Sequence, residues 1–575
     1  IAVDTVSKRI YGYNPVHRIY QGWGEYAGYD GHFVIEFQKD ITDIGTFCGD
    51  SIFHGYTAIS NKERIGVYIG FDVESGEEVL VKAASSFVSN DGAVKNLEAE
   101  ISHWDFEATR SQLTSIWEKH LSTISVQSDD ELSKRKFYGA FYRASFLPRT
   151  FNDVDGRYPS FAKGKPVMSL PDGGTYYEDF SVWDTYRALH PMLNIISPSK
   201  AGQMMNSLIL KYEQGGWLPI FPCWNSYTAA MIGDHCISLL CDAYAKGIGG
   251  FDIEKAYQAM RRNAFVHPSE EDYLDGCGRR ALKSYIDYGY VPLEDSVKEA
   301  FHTCEQVSRT LEYAYDDYVL SVVAKKLGKD EDAGLLLGRA GNYRNVINSS
   351  TGYAQGRHLD GTFLNDDNAF RFTKFITEGA PCHYTWYVPH DVYGLMDIMG
   401  GKDAFAAKLD SMFTENRYWH GNEPCHQIAF MFNYVGQPWK TVDAVRHIMD
   451  TEYIDAPGGL SGNDDAGQMS AWYMFAAIGF YPVCPGSEYY ILSAPTFPEV
   501  EFRLENGKTF VISAPGVSDK NRYIKSVKLN GSDYTLNYIS HSDIMNGGII
   551  EFEMSDVPQN TWGTERTDCP PDLMK

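Results

Sequence analysis

Long apolar runs are missing from this chain. No stretch approaches ~18 uninterrupted apolar residues, so nothing is built to cross a bilayer as a helix. Clusters of lysine and arginine are missing too, and the net charge is -25. Nucleic acid and anionic membrane surfaces both demand basic patches, so neither is an expected partner. The 10 cysteines are scattered and include no Cys-x-x-Cys pair, which argues against a zinc site and for free structural thiols. No Gly-x-Gly-x-x-Gly or Walker loop is present, so nucleotide chemistry has no support. The chain opens on Ile1-Ala2-Val3, without an initiator methionine or a signal peptide, as expected of a processed chain or a fragment.

What the sequence does have is length and aromatic rings. At 575 residues two or more domains are expected. Aromatics make up 14%, with 39 Tyr and 11 Trp. A single aromatic usually belongs to a core, but flat rings also pack against the apolar face of a pyranose.

Periodicity divides the chain. Short alternating or apolar runs, His32–Phe37, Ile65–Phe71 and Glu78–Lys82, are separated by turn residues and predict a sandwich over 1-105. From about Asn96 a helical spacing takes over through Leu97, Ile101, Trp104, Leu113, Ile116, Trp117 and Leu121. A second helix is expected to start near Asp129–Leu132, which gives a helical linker over 106-148. Over 149-495 long helical patterns (Ser199–Lys211, Met231–Lys246, Val307–Leu327, Glu331–Asn345, Thr441–Tyr453) alternate with Gly/Pro/aromatic loops, which suggests helix pairs around an axis. Strand patterns return over 496-575, at Val500–Leu504, Thr509–Ile512 and Ile524–Leu529. No fixed-period repeat is strong enough to read as a solenoid.

Two acidic clusters stand out, Thr377-Glu378-Gly379-Ala380-Pro381 and Gly462-Asn463-Asp464-Asp465-Ala466-Gly467. Each lies ahead of an aromatic-rich segment. Paired carboxylates beside aromatic walls suit acid/base chemistry on a sugar. The plainer reading of the second cluster is a helix start, with Asp465 and Gln468 as a capping box. Capping needs one acid rather than two, and the flanking glycines let backbone approach a ligand. Glu378 in a loop is ordinarily solvated; enclosed by Tyr384, Trp386 and Tyr387 it would hold a proton more tightly. Trp419–Gln427 packs acid, amide and imidazole groups into one loop, with a histidine spacing that matches no zinc pattern. Sugar hydroxyls or a hard cation held by oxygens fit it better. Trp183 offers a stacking face and Asp184 a bidentate acceptor, against a plainer Asp184–Arg187 helix pair. Trp217, in Gly215–Pro219, is either pocket wall or loop packing.

These segments together resemble glycoside hydrolase family 92, the calcium-dependent exo-acting α-mannosidases. The matching pieces are Tyr13–Arg18 with Tyr20–Gly24, Trp183-Asp184-Thr185, Val307–Leu320, Thr377-Glu378-Gly379, Asn422-Glu423-Pro424, Gly436–Lys440, and Gly467–Tyr473 through Gly479–Pro482. They cover nearly the whole chain. The resemblance implies an N-terminal β-sandwich, here apparently truncated, linking helices, an (α/α)6 barrel and C-terminal strands. It implies Glu378 as general acid, Asp465 as the base that activates water, and Asp464 as support. Trp183, Asp184, Glu423, Asn422, His426 and Trp217 are the expected substrate contacts. It also implies Ca2+, with Asn463, Asp465 and Gln427 as candidate ligands. The family often shows Asp-Glu-Asp where this chain has Asn463-Asp464-Asp465, and members preferring α-1,2 linkages can carry His where this chain has Asn422.

The expected activity is an inverting exo-α-mannosidase releasing terminal mannose from mannose-rich N-glycans or mannan, acting foremost on α-1,2 linkages. A secreted, periplasmic or cell-surface location follows from that role. The alternatives are another linkage (α-1,3, α-1,4 or α-1,6), another (α/α)6 glycosidase or phosphorylase, and a non-catalytic glycan-binding protein.

Overall fold

The structure is a computed structural model that describes all residues except Asp172, Lys298, Glu299 and Asp367. The chain divides into two compact units: residues 1–118, 149–178 and 224–226 form one, and 119–148, 179–223 and 227–575 the other.

The first unit is β-rich. A four-stranded sheet runs in the order Ala2–Asp4, Arg9–His17, Tyr26–Phe37, Val81–Ser86, and a three-stranded sheet in the order Ser51–His54, Asp43–Cys48, Ile65–Gly70. Alternation along Tyr26–Phe37 explains its two-sided burial. Phe33, Ile35 and Phe37 join Val3, Ile10, Ile44, Val67 and Ile69 in one cluster. Val34 points the other way, onto Ala93 and Leu97. Those two belong to the helix Asn90–Glu100, which starts earlier than the spacing predicts because Ser89 caps it, accepting from the Gly92 N–H. The expected strand at Glu78–Lys82 lies instead at Val81–Ser86. Buried Asp153 ties this unit's later segment to its first half, accepting from Ser86 Oγ at 2.8 Å and Asn96 Nδ2 at 2.9 Å.

The second unit carries the helical body and the C-terminal strands. Its helices include Pro198–Gly215, Cys236–Ala245, Ile253–Phe265, Gln306–Lys326, Asp330–Ala340, Lys402–Thr414, Pro438–Thr451 and Gln468–Ile478, in keeping with the (α/α)6 arrangement expected. Helix Glu131–Arg143 begins where the acidic run predicts, with Asp130 accepting from the Leu132 and Ser133 N–H groups. One strand was hidden from periodicity. Ile124–Gln127, inside the segment read as helical linker, pairs antiparallel with Glu499–Arg503 and completes a six-stranded sheet.

A buried ion network braces the helical body. Arg279 donates to Asp234 at 2.8 Å and to Asp317 at 2.7 Å, and Arg339 grips Asp317 with two bonds of 2.7 and 2.8 Å. Asn263 Nδ2 and the Tyr285 hydroxyl supply further donors to Asp234 and Asp317. All 10 cysteines are free thiols. Among the described residues, no helix is long and apolar enough to cross a membrane.

Candidate active site

Strained backbone presents the acidic residues. Asp465, Ala466 and Glu378 all adopt left-handed φ values, of 43°, 59° and 49°. Such values cost non-glycine residues energy and concentrate at functional sites. Gly467 follows at φ 97°, where a Cβ would come within 2.8 Å of the Ala144 Cα, so only glycine closes this turn. Helix Gln468–Ile478 then starts.

The two adjacent aspartates have different surroundings. Asp464 Oδ1 accepts from the Ser470 N–H at 2.9 Å, and its Oδ2 lies 3.6 Å from Arg143 Nε. Its carboxylate is therefore engaged at the helix start. The capping predicted for Asp465 and Gln468 is not formed. Gln468 Oε1 instead accepts from the Ala188 and Leu189 N–H groups, and its Nε2 reaches His426 Nδ1. Asp465 is left to face other acids.

Those acids are Asp184 and Glu423, which with Asp465 bring carboxylate oxygens within 4.8 Å of one another. Asp184 sits on the short helix Val182–Thr185, after Ser181 in left-handed backbone, and accepts from Ser181 Oγ at 2.7 Å. Glu423 opens the 3-10 turn Glu423–Cys425, is 1% exposed, and has no donor on either carboxylate oxygen among the described residues. Burial pushes the Asp184 carboxyl well above its ordinary range, and the Asp465 charge pushes it further. Glu423 is raised well above its ordinary range by burial and then by Asp184 and Asp465. Asp465 is raised by burial and by the nearby Glu378 charge.

Glu378 is exposed, whereas Tyr384, Trp386 and Tyr387 are buried, so the aromatic enclosure expected around it is not formed by those rings. Its backbone carbonyl accepts from Asn422 Nδ2 at 3.1 Å, which joins its loop to the one bearing Glu423.

The remaining predicted residues divide. Trp183 is 1% exposed, donates its indole N–H to Glu312 and stacks under the Arg187 guanidinium, which leaves little free face. His426 has both ring nitrogens engaged, Nε2 by the His420 carbonyl and Nδ1 by Gln468. Burial holds it neutral, down to about 3. Trp217 is buried, bonded to Asp272 and covered by Arg262, in the pattern of loop packing. Gln427 is buried, with Nε2 donating to the Pro424 and Trp386 carbonyls, so its carbonyl oxygen is the atom left for a ligand. Asn463 is exposed, two residues before Asp465.

The sequence offered Arg187 only as a helix partner for Asp184. Its Nε donates to the Trp183 carbonyl at 3.0 Å, while both terminal nitrogens are buried with no hydrogen-bond partner among the described residues. It is the cation whose field restrains Asp184 and Glu423.

A hard cation fits the acidic cluster. Ca2+ takes oxygen ligands at about 2.3–2.6 Å, so ligands across it lie about 5 Å apart. The oxygens gather within 4.8 Å, and Glu423 has no other partner. Sugar hydroxyls could satisfy the same acceptors.

The sequence of a known domain decides where this site belongs. The Glycosyl hydrolase family 92 catalytic domain matches residues 92–556. The chain belongs to glycosyl hydrolase family 92. Its fold superimposes on a family GH92 inverting mannosidase from Bacteroides thetaiotaomicron VPI-5482 with a TM-score of 0.91, at 31% identity over 100% of this chain and 79% of that one. A family GH92 alpha-mannosidase from Bacteroides thetaiotaomicron, also solved with mannoimidazole, gives 0.88 at 36% identity, over 98% of this chain and about three quarters (74%) of that one. An uncharacterized secreted glycosidase of Arthroderma benhamiae is 29% identical over 546 residues, 89% of this chain. The chain spans 65% of that relative's length.

Proposed function

We propose that this family 92 chain is an exo-acting, inverting α-mannosidase, with Glu378 as general acid and Asp465 as general base. The observation that carries the reading is the acidic cluster, in which Asp465 is held beside buried Asp184 and the buried Glu423, whose oxygens have no donor among the described residues, and within the field of Glu378. A raised pKa suits a base poised near neutral pH. Asp464, engaged at the helix start, supports Asp465 from behind. Inversion needs carboxyl groups about 6.5–9.5 Å apart, with room for the attacking water beside the base. Glu378, on the exposed side, would protonate the leaving oxygen, and Asp465 would take the proton from water.

Asp184, Glu423 and Asp465 would hold Ca2+, with the Gln427 carbonyl and Asn463 as further oxygen donors. When bound, the ion supplies positive charge that steadies sugar hydroxyls and favours a flattened ring. Mannose-rich N-glycans or mannan, an α-1,2 linkage and a secreted or surface location complete the reading. The relative described as secreted, and the mannosidases that share the fold, support it.

The test is NMR on α-1,2, α-1,3, α-1,4 and α-1,6 mannobioses, following linkage and first-formed anomer together. The expected outcome is β-mannose first, fastest from the α-1,2 compound. Initial α-mannose would remove inversion, and no cleavage of any linkage would remove the mannosidase.

A further inference from the structure

Helix Gln306–Lys326 presents Ser308, Glu312 and Asp316 at i, i+4 and i+8, on one face and all buried. Each holds a different partner. Ser308 Oγ accepts at 2.9 Å from the N–H of Thr377, the residue before Glu378. Glu312 Oε1 accepts two donors, the Trp183 indole N–H at 3.0 Å and the Tyr384 hydroxyl at 2.8 Å. Its Oε2 lies 3.2 Å from His235 Nε2. The other ring nitrogen, Nδ1, is 2.9 Å from Asp316 Oδ1, and Asp316 Oδ2 accepts from the Asp234 N–H at 2.7 Å.

A carboxylate faces each nitrogen of His235, an arrangement that favours the imidazolium. Burial opposes its charge, but Asp316 and Glu312 outweigh that and push it up to about 9. The packing is specific to this arrangement: a Cβ on Gly233 would fall 2.4 Å from His235 Nε2 and 2.6 Å from Glu312 Oε2. Tyr186, two residues after Asp184, stacks on the His235 ring at 4.2 Å and 18°.

We propose that Glu312, clamped by the His235–Asp316 pair, is a positioning residue whose single oxygen Oε1 ties the turn bearing Asp184 to the segment following Glu378. The inference rests on the mannosidase reading. Trp183 precedes Asp184 directly, and Tyr384 lies in the helix Pro381–Tyr384 that follows the Glu378 loop. One carboxylate oxygen thus links the acid's segment to the turn bearing Asp184. Its loss would let the two drift apart, and misplacement of about 1 Å costs about 10²-fold in rate.

The experiment uses Glu312→Gln and Tyr384→Phe in the full chain, assayed on a mannobiose and on 2,4-dinitrophenyl α-mannoside, whose leaving group needs no proton. Glu312→Gln should lower kcat on the disaccharide about 10²-fold with KM within about threefold. Tyr384→Phe, which removes one hydroxyl and keeps the ring, should lower it about tenfold and recover on the activated substrate. Equal losses on both substrates, a change confined to KM, or a drop in thermal stability with kcat intact would overturn the positioning role. If the wild type cleaves neither substrate, the mannosidase reading falls by itself. Positioning is then judged from crystal structures of wild type and Tyr384→Phe. Displacement of the Glu378 or Asp184 carboxyl by about 0.5 Å or more upholds it, and superposable carboxyls overturn it.

Discussion

Two groups of carboxylates in the helical body, each buried or half-buried, are built on opposite terms. Asp234 and Asp317 are met by Arg279 and Arg339 in short, well-aligned bonds, and Asn263 and Tyr285 fill further acceptor positions. Burial still lifts Asp234 to about 6, with Arg279 restraining it. Asp184, Glu423 and Asp465 face one another instead, and among the described residues no donor reaches Glu423. A buried charge with a partner belongs to the scaffold. A buried charge left without one stores repulsion that a cation or substrate can release, and that is the mark of a site.

The strongest way to break this contrast is through the chemistry. Glu378→Gln and Asp465→Asn should each lower kcat by about 10²–10⁴-fold, with circular dichroism and thermal midpoint close to wild type. Turnover near the wild-type rate on a natural linkage in either variant would strip the acidic group of its catalytic meaning.

Next comes the scaffold network. Arg279→Met should leave buried Asp234 without its cation, Asp317 keeping Arg339, and cost about 3–5 kcal/mol in denaturant unfolding. An unchanged midpoint would show that the two groups do not differ.

The smallest effect carries the opposite sign. Glu423→Gln removes an unpaired buried charge, so in chelator it should stabilise the fold by on the order of 1 kcal/mol while weakening Ca2+ binding. The sign of the pH dependence follows from the same groups. Folded-state pKa values of Asp184, Glu423 and Asp465 lie above their ordinary values. Their contribution to stability is therefore full below the unfolded value near 4 and is lost as pH rises through the raised folded values. Melting scans in EDTA should show the wild type losing stability over that rise more steeply than Glu423→Gln, with Ca2+ restoring it. Parallel pH curves would deny that the cluster is strained. Activity should likewise stop in EDTA and return with Ca2+.

Much of the architecture was legible in advance because periodicity reports burial. The strands at Glu499–Arg503 and Tyr523–Leu529 and the helix at Gln306–Lys326 lie within a residue or two of their apolar patterns. Ile124–Gln127 was not legible, since four residues between helices carry too little pattern to announce a strand whose partner lies some 370 positions on. Gly467, between the double aspartate and its helix, was readable as a turn from residue type alone. That Asp464 would bind the helix end while Asp465 faced Asp184 and Glu423 was not. Both are aspartates, and only the left-handed turn at Asp465 and Ala466 separates their directions.

The sequence by itself determined the family, the order of β and α regions, and the acidic residues that carry the proposed chemistry, because residue type and spacing encode them locally. Tertiary structure alone decided which carboxylates meet. Asp184, Glu423 and Asp465 are hundreds of residues apart at the extremes, and their repulsion exists only once folding removes water from between them. The same holds for Glu312, an ordinary helix residue in sequence, which gains its role from the indole, hydroxyl and imidazole that the fold delivers to its two oxygens.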